Sequence, residues 1–374
     1  MPTDIKNLSR AELTAWFVER KLPVYRVDQL LQWLYERRVT GWDQMTNLPK
    51  SLRETLADEF SLHTHTLAGV EGSRDTTQKS LWRLRDGAFI ESVLIPANPA
   101  LFGEAADRHT LCVSTQVGCA YGCKFCASGL DGWKRNLEPA EIIEQVLSTE
   151  RLQSKSTSEE PDHARTTSPR LVNNLVIMGM GEPLANYDNL IKALKILNTE
   201  YHIGARKITV STSGLAPEIR RLADEPHQFR LAISLHGATD EVRSRIMPVN
   251  RKYPLEVLTE ACAYYQRRKG KMITFEYILI AGVNDHPDQT GPLADLSRRL
   301  HAKVNLIPYN KVEGLPWERP TEAAQDAFVE ALRQRGVTAT LRREKGHDIA
   351  AACGQLRLKN STTTDEIRIP SPTQ

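Results

Sequence analysis

The sequence predicts an α/β protein, a parallel sheet with crossover helices preceded by a small helical module. Three observations carry this. From Leu111 onward, short apolar and β-branched runs alternate with amphipathic stretches, the pattern of repeated strand-helix units. Residues 9–60 instead place apolar side chains at helical spacing. Over 374 residues, 40% are hydrophobic and 25% charged, a globular balance in a chain long enough for about two to three domains and a sizeable core. Wholesale disorder and a disulfide-stapled mini-protein are thereby excluded.

The elements follow in order. Leu13, Trp16 and Phe17 share one helical face and Leu30, Leu31 and Leu34 another, with Pro23 and Pro49 as punctuation. Nine acidic and nine basic residues leave positions 1–60 neutral. From about residue 66 the pattern turns to strands, and SLWRLRDG with AFIESVLIP reads as a hairpin turning at Asp86 and Gly87. Six strands are expected thereafter: LCVST, LVNNLVIMG, KITVST, RLAISLH, MITFEYILI and KVNLIP. Amphipathic helices are expected near 139–152, 187–199, 216–224, 254–269, 290–300 and 320–335. Six such units suit either a doubly wound sheet or an incomplete β/α barrel, and in both a ligand binds at the carboxyl ends of the strands. Residues 153–169 have the composition of a flexible loop, and 97–109 read as a longer ordered connection. The expected divisions are 1–65, a helical module; 66–104, a hairpin linker; 105–348, the core; and 349–374, a C-terminal segment.

No apolar run approaches the roughly 18 residues of a membrane span, and the N-terminus shows no secretory h-region. A cytoplasmic protein is the expectation, with no membrane partner. Six cysteines are too few for a disulfide framework in a chain this long.

Three of the six, Cys119, Cys123 and Cys126, form C-x3-C-x2-C directly after the first expected strand. Thiolates so spaced grip one metal centre, because the intervening residues loop around it and supply backbone N–H groups to the sulfurs. Structural zinc wants four ligands, and the nearest further candidates, Cys112 and His109, precede the motif. A 4Fe-4S cluster on three cysteines leaves one iron open. Spacing favours that cluster and leaves zinc and unligated thiols as alternatives. Other strand ends carry Gly179-Met180-Gly181-Glu182-Pro183, then Ser211-Thr212-Ser213-Gly214, then Ser234-Leu235-His236, and finally Asn310. Each alone is ordinary turn chemistry; together they set a small-molecule site along one rim.

With its three-cysteine motif and a Gly-Glu-Pro one strand later, the chain resembles the radical S-adenosylmethionine (SAM) superfamily over most of 111–345. The resemblance implies a partial (β/α)6 radical SAM barrel, with the N-terminal helical domain and a short β extension. It also implies a 4Fe-4S cluster on Cys119, Cys123 and Cys126 whose open iron chelates SAM, which is then cleaved to a 5'-deoxyadenosyl radical. FCASG followed by KRNL, the STSG and SLH strand ends, VNLIPYN, and Cys353 in REKGHDIAAACGQL narrow this further. The combination resembles the RlmN/Cfr family of RNA adenosine methyltransferases through nearly the whole chain.

That resemblance implies a covalent relay, because an adenine C2 or C8 carbon is not a nucleophile. Cys353 accepts a methyl group from one SAM, and the radical from a second removes a hydrogen from it. The methylene then adds to the ring, Glu91 takes the ring proton, and Cys112 attacks the Cys353 sulfur to free the methylated base, leaving a disulfide. By resemblance Gly181, Glu182, Ser213, Ser234, Leu235, His236 and Asn310 contact SAM. On their own residues, Cys353 and Cys112 read as buried packing and Glu91 as an exposed strand carboxylate paired with a base. The 97–109 segment lengthens the path from Glu91 to Cys112, and Cys262 is expected in the core.

RlmN-type members act on C2 of one adenosine in the peptidyl-transferase region of 23S rRNA and of the adenosine 3' to the anticodon in tRNAs; Cfr-type members act on C8 of the same rRNA adenosine. The long N-terminal module favours C2. The implied partners are 23S rRNA, tRNA, a low-potential electron donor such as flavodoxin and a thiol reductant, with the chain expected to be a monomer. The formal charge of +3 conceals local enrichment, eight basic against four acidic residues in 241–280 and seven against three in 330–360. Arg243, Arg245, Arg251, Lys252, Arg342, Arg343 and Lys345 are the expected phosphate contacts. Two rival readings keep part of this: a radical SAM enzyme on a small molecule or protein, and a zinc-bearing RNA-binding module without catalysis.

Overall fold

The computed structural model describes residues 2–72, 77–97, 108–130, 132–156, 170–342 and 356. The N-terminal module pairs two short parallel strands, β1 (Thr3–Asp4) and β2 (Phe60–Ser61), around helices α1 (Arg10–Glu19), α2 (Tyr25–Leu31) and α3 (Lys50–Glu59). Ser9 begins α1 with a reciprocal cap, its hydroxyl accepting from the Glu12 N–H while Glu12 accepts the Ser9 N–H at 2.7 Å. Leu13, Trp16, Phe17, Leu30, Leu31 and Leu34 are all buried, as their spacing predicts.

Three antiparallel strands follow: β3 (Thr66–Gly72), β4 (Gln78–Arg83) and β5 (Phe89–Pro96). The β4-β5 hairpin turns through Asp86 and Gly87 as expected, closed by the Leu84 N–H to the Ala88 carbonyl at 2.8 Å. After β6 (His109–Cys112) a short ribbon, β7 (Gln116–Gly118) and β8 (Trp133–Asn136), precedes α4 (Pro139–Ser156). Strands and helices then alternate: β9 (Asn174–Ile177), α5 (Tyr187–Thr199), β10 (Ile208–Thr212), α6 (Ala216–Asp224), β11 (Arg230–Ser234), α7 (Asp240–Ile246) and α8 (Leu255–Lys269). The series ends with β12 (Thr274–Leu279), α9 (Thr290–Arg299), β13 (Lys303–Pro308), α10 (Glu322–Gln334) and β14 (Ala339–Leu341).

Among the described residues one sheet holds ten strands, in the order β14-β13-β12-β11-β10-β9-β6-β5-β4-β3. From β14 to β6 all neighbours are parallel, and β5, β4 and β3 extend the sheet antiparallel. Its edges are β14 and β3, so the sheet does not close on itself, as a partial barrel requires. All six expected parallel strands are present; β14 is an unforeseen seventh.

Register gives the sheet two chemically distinct faces. Leu111, Leu175, Ile208, Val210, Ile233, Phe275 and Val304 lie on one, joining the buried sides of the helices in a common core. Cys112, Ser211, Ser234, Glu276 and Asn305 fall on the other, where Asn305 donates to Glu276 at 2.7 Å. A strand with both faces buried that still carries polar groups on one of them marks that face for a ligand.

The module is fastened to the barrel by buried charge. Lys6, 1% exposed, lies 3.2 Å from Asp4 and 3.4 Å from Glu144 of α4, and Arg38 lies 3.2 Å from Glu150. Helix α4 also corrects an expectation, because it runs to Ser156, through the first four residues of the segment read as a loop. Gln153 helps hold it there, donating to Gln78 at 2.6 Å. The rest of that segment, 157–169, lies outside the described residues.

Candidate active site at the carboxyl ends of the strands

The β7-β8 ribbon frames the cysteine loop. Gly118 has φ +76, and a Cβ there would meet the Gly132 carbonyl oxygen at 1.9 Å, so only glycine lets the loop close through the Cys119 N–H to that same oxygen. Burial pushes the Cys119 thiol up to about 12, against the backbone N–H groups of Tyr121 and Gly122 that favour its thiolate. Burial likewise raises Cys123, helped by the nearness of Cys126 and Cys119. Between them Lys124 is pinned from two sides: its N–H donates to the Ile246 carbonyl at 2.9 Å, and its carbonyl accepts the Trp317 indole N–H at 2.7 Å.

These features fit a cluster. Two thiols, Cys119 and Cys123, that burial and the neighbouring sulfurs keep protonated, with N–H groups already aimed at one of them, gain most from a cationic centre that takes them as thiolates. His109 stands at the amino end of β6, the far end from the loop, which removes it as a fourth zinc ligand. Among the described residues no three His, Cys, Asp or Glu side chains are grouped to hold a single metal ion.

The Gly179-Pro183 turn packs directly on the β6-β7 connection. Gly181 has φ +98, and a Cβ there would stand 2.5 Å from the Gln116 Cβ. Glu182, 3% exposed, turns inward: its carboxylate accepts the N–H of Ser213 at 2.7 Å and of Leu184 at 3.0 Å. Burial raises its pKa while those N–H groups lower it. The Ser213 hydroxyl is buried beside that carboxylate without a hydrogen bond of full geometry. Ser211 and Ser234 hydroxyls approach to 3.4 Å on the polar face.

Leu235 has its side chain in the core, and its N–H donates to the Glu276 carbonyl at 2.9 Å. His236 holds a left-handed φ of 56; its Nδ1 accepts the Ile278 N–H at 3.0 Å, and its ring meets Phe125 of the cysteine loop edge-on at 5.0 Å. Burial, with Arg243 nearby, pulls its pKa down to about 3, so the imidazole is neutral and carries its proton on Nε2. Asn310 is half-buried two residues beyond the end of β13.

Glu91 and Cys112 come together despite the long connection between them. The β5-β6 register sets Val93 opposite Cys112 and leaves Glu91 one pleat away on the same face. Glu91 is not an exposed carboxylate: it is 3% exposed and lies 3.2 Å from the ammonium of Lys79, which is wholly buried. Lys79 was missed in the sequence, where its signal is a lysine two positions before Leu81, on the same side of the expected strand. Cys353, Arg343 and Lys345 lie outside the described residues.

Arg243 corrects an expectation. Rather than facing a phosphate, it is fully buried, donating to Leu235, Asn250 and Ser213, because three internal acceptors there need its fork. Arg245, Arg251, Lys252 and Arg342 are exposed. Cys262 is buried in α8 as expected, and no helix among the described residues is long and apolar enough to cross a membrane.

Comparison with known proteins agrees with this geometry. Residues 113–290 match the radical SAM superfamily and residues 3–62 the ribosomal RNA large subunit methyltransferase N-terminal domain. The chain is 55% identical over 349 residues to the "Probable dual-specificity RNA methyltransferase RlmN 3" of Opitutus terrae, covering 93% of this chain and 92% of that one. It is 51% identical to the "Probable dual-specificity RNA methyltransferase RlmN" of Akkermansia muciniphila, covering 93% of each. A crystal structure of a radical SAM methyltransferase from Sphaerobacter thermophilus superposes with a TM-score of 0.85 at 42% identity, over 95% of this chain and 99% of that one.

Proposed function

The chain belongs to the RlmN-type radical SAM RNA methyltransferase family, and on that premise we propose that it methylates adenine C2. Its targets are one adenosine in the peptidyl-transferase region of 23S rRNA and the adenosine 3' to the anticodon in tRNAs. One arrangement carries the reading: a buried carboxylate, Glu91, and a thiol, Cys112, share the polar face of the sheet, whose carboxyl rim bears the cysteine loop.

Cys119, Cys123 and Cys126 would hold a 4Fe-4S cluster, with Gly181, Glu182, Ser213, Ser234, Leu235, His236 and Asn310 about the SAM. When bound, that pair supplies a carbon radical through reductive cleavage of SAM. The chain's own residues do the rest. Cys353 carries the methyl group as a thioether, one SAM supplying the methyl and a second the radical. Once its carbon is joined to the ring, Glu91 takes the ring proton. With the adduct having given back the one electron spent on SAM cleavage, Cys112 as thiolate attacks the Cys353 sulfur. The disulfide forms as the carbon–sulfur electron pair leaves with the base and takes up a proton to complete the methyl group, and a thiol reductant restores both cysteines. His236, neutral with its Nδ1 already occupied, offers only an N–H to a ligand. The target base must leave its stack to reach such a site, which favours loops over helices.

Nucleoside mass spectrometry tests this. Protein loaded anaerobically with iron and sulfide, then given SAM, a low-potential reductant and 23S rRNA or tRNA, should yield 2-methyladenosine in both RNAs. Detection of 8-methyladenosine alone would defeat the C2 assignment, and no methylated adenosine from loaded protein would defeat the reading as a whole.

A further inference from the structure

Lys79 has none of its side chain exposed, and its ammonium stands 3.2 Å from Oε2 of Glu91, itself 3% exposed. Each charge in so dry a place carries a desolvation cost that a close partner of opposite sign offsets. Register fixes where the pair lies. Lys79 faces Val93 across β4 and β5, and Val93 faces Cys112 across β5 and β6, so Lys79, Val93 and Cys112 form one row on a common face. Glu91 is one pleat farther along, toward Ser114, whose hydroxyl donates to the Glu91 carbonyl at 2.6 Å. The carboxylate therefore meets an ammonium from β4 on the face that Cys112 of β6 shares, with its own backbone tied to the turn leading into the cysteine loop.

We propose that Lys79 is a positioning residue for the proton-accepting carboxylate: it holds Glu91 in place and aims it along the polar face toward the ring carbon. This rests on the reading of Glu91 as the base. In the step concerned, the C–H bond of the covalently held ring carbon breaks, its electron pair stays with the ring, and the proton passes to a Glu91 oxygen. Only the charged carboxylate can accept it. Deprived of the ammonium, the carboxylate loses the buried contact that fixes its Oε2 at 3.2 Å, and the adduct has no well-placed base. A pair that only braced the hairpin would cost stability when broken, but would leave the chemistry of the folded molecules unchanged.

The test compares Lys79→Met, Lys79→Arg, Glu91→Gln and the Lys79→Met/Glu91→Gln double variant in the full-length, cluster-loaded protein. Lys79→Met should lower kcat by about 10²-fold or more with KM for RNA unchanged, and should accumulate a covalent RNA-protein adduct on denaturing gels. Lys79→Arg, which keeps the charge, should restore most of the rate and clear the adduct. Lys79→Met turning over at the wild-type rate without adduct overturns the proposal. Should that variant not fold, the double variant, which removes both members of the pair, carries the test: turnover equal to that of Glu91→Gln supports action through Glu91, and a further loss overturns it. Wild-type turnover by Glu91→Gln would instead remove Glu91 as the base, a failure of the earlier reading that the single variants distinguish from a failure of Lys79.

Discussion

Arg243 Nη1 donates to Asn250 Oδ1 at 2.6 Å, from a side chain with no exposed surface. Its other nitrogens hold the carbonyls of Leu235 at 3.1 Å and of Ser213, so one guanidinium ties the ends of β10 and β11 to the turn after α7. Burial draws its pKa down to about 10, still leaving it charged at neutral pH. Arg243→Ala strands three buried acceptors, and a loss of at least about 3 kcal/mol is expected in chemical denaturation. Arg243→Lys should rescue little of it, since one ammonium cannot reproduce a fork of three directions.

The exposed basic residues near that buried one should behave oppositely. Neutralising Arg245, Arg251 and Lys252 together should leave the melting temperature nearly unchanged and weaken RNA binding. The slope of log affinity against log salt should fall by about 1 for each lost phosphate contact. An unchanged slope would assign those side chains to solvent.

Gly181→Ala addresses the rim. The new Cβ would lie 2.5 Å from the Gln116 Cβ, at a φ of +98 that side chains rarely adopt. A stability loss of about 1 to 3 kcal/mol is expected, with SAM binding by calorimetry weakened more than RNA binding, because the displaced turn carries Glu182. Equal weakening of both ligands would place the damage elsewhere.

His65 should make the protein acid-sensitive. Its Nε2 donates to the Glu141 carbonyl at 2.9 Å and its Nδ1 is buried without a partner. Burial holds its pKa below the usual histidine value, outweighing Glu144 and Glu141. The unfolded chain therefore binds this proton more readily, so the contribution of His65 is full above about pH 6.5 and is lost as pH falls below it. Urea midpoints from pH 8 to 5 should fall less steeply in His65→Gln, whose amide keeps the donor without the titration.

Much of this was legible in the sequence. The six parallel strands announced themselves through β-branched runs long enough to show a pattern, and the cysteine loop through spacing that few other structures need. What stayed hidden was short or non-local. The three residues of β14 carry no period, and β7 with β8 are strands only because Gly118 and Gly132 let the loop close. Arg243 misled and Lys79 went unnoticed for a shared reason. A charged residue in sequence reads as exposed, and nothing near Arg243 in the chain reveals that Ser213, thirty residues earlier, supplies an acceptor. The proximity of Glu91 to Cys112 depends on a strand register across a connection whose length argued against it.

The hydrogen bonding of β5 to β6 has an evolutionary corollary. The strand that bears Glu91 also seals what would be a bare sheet edge, a template for aggregation. A chain cut back past β5 would leave β6 with such an edge, so the β3-β4-β5 extension cannot be shed as a detachable part of the sheet.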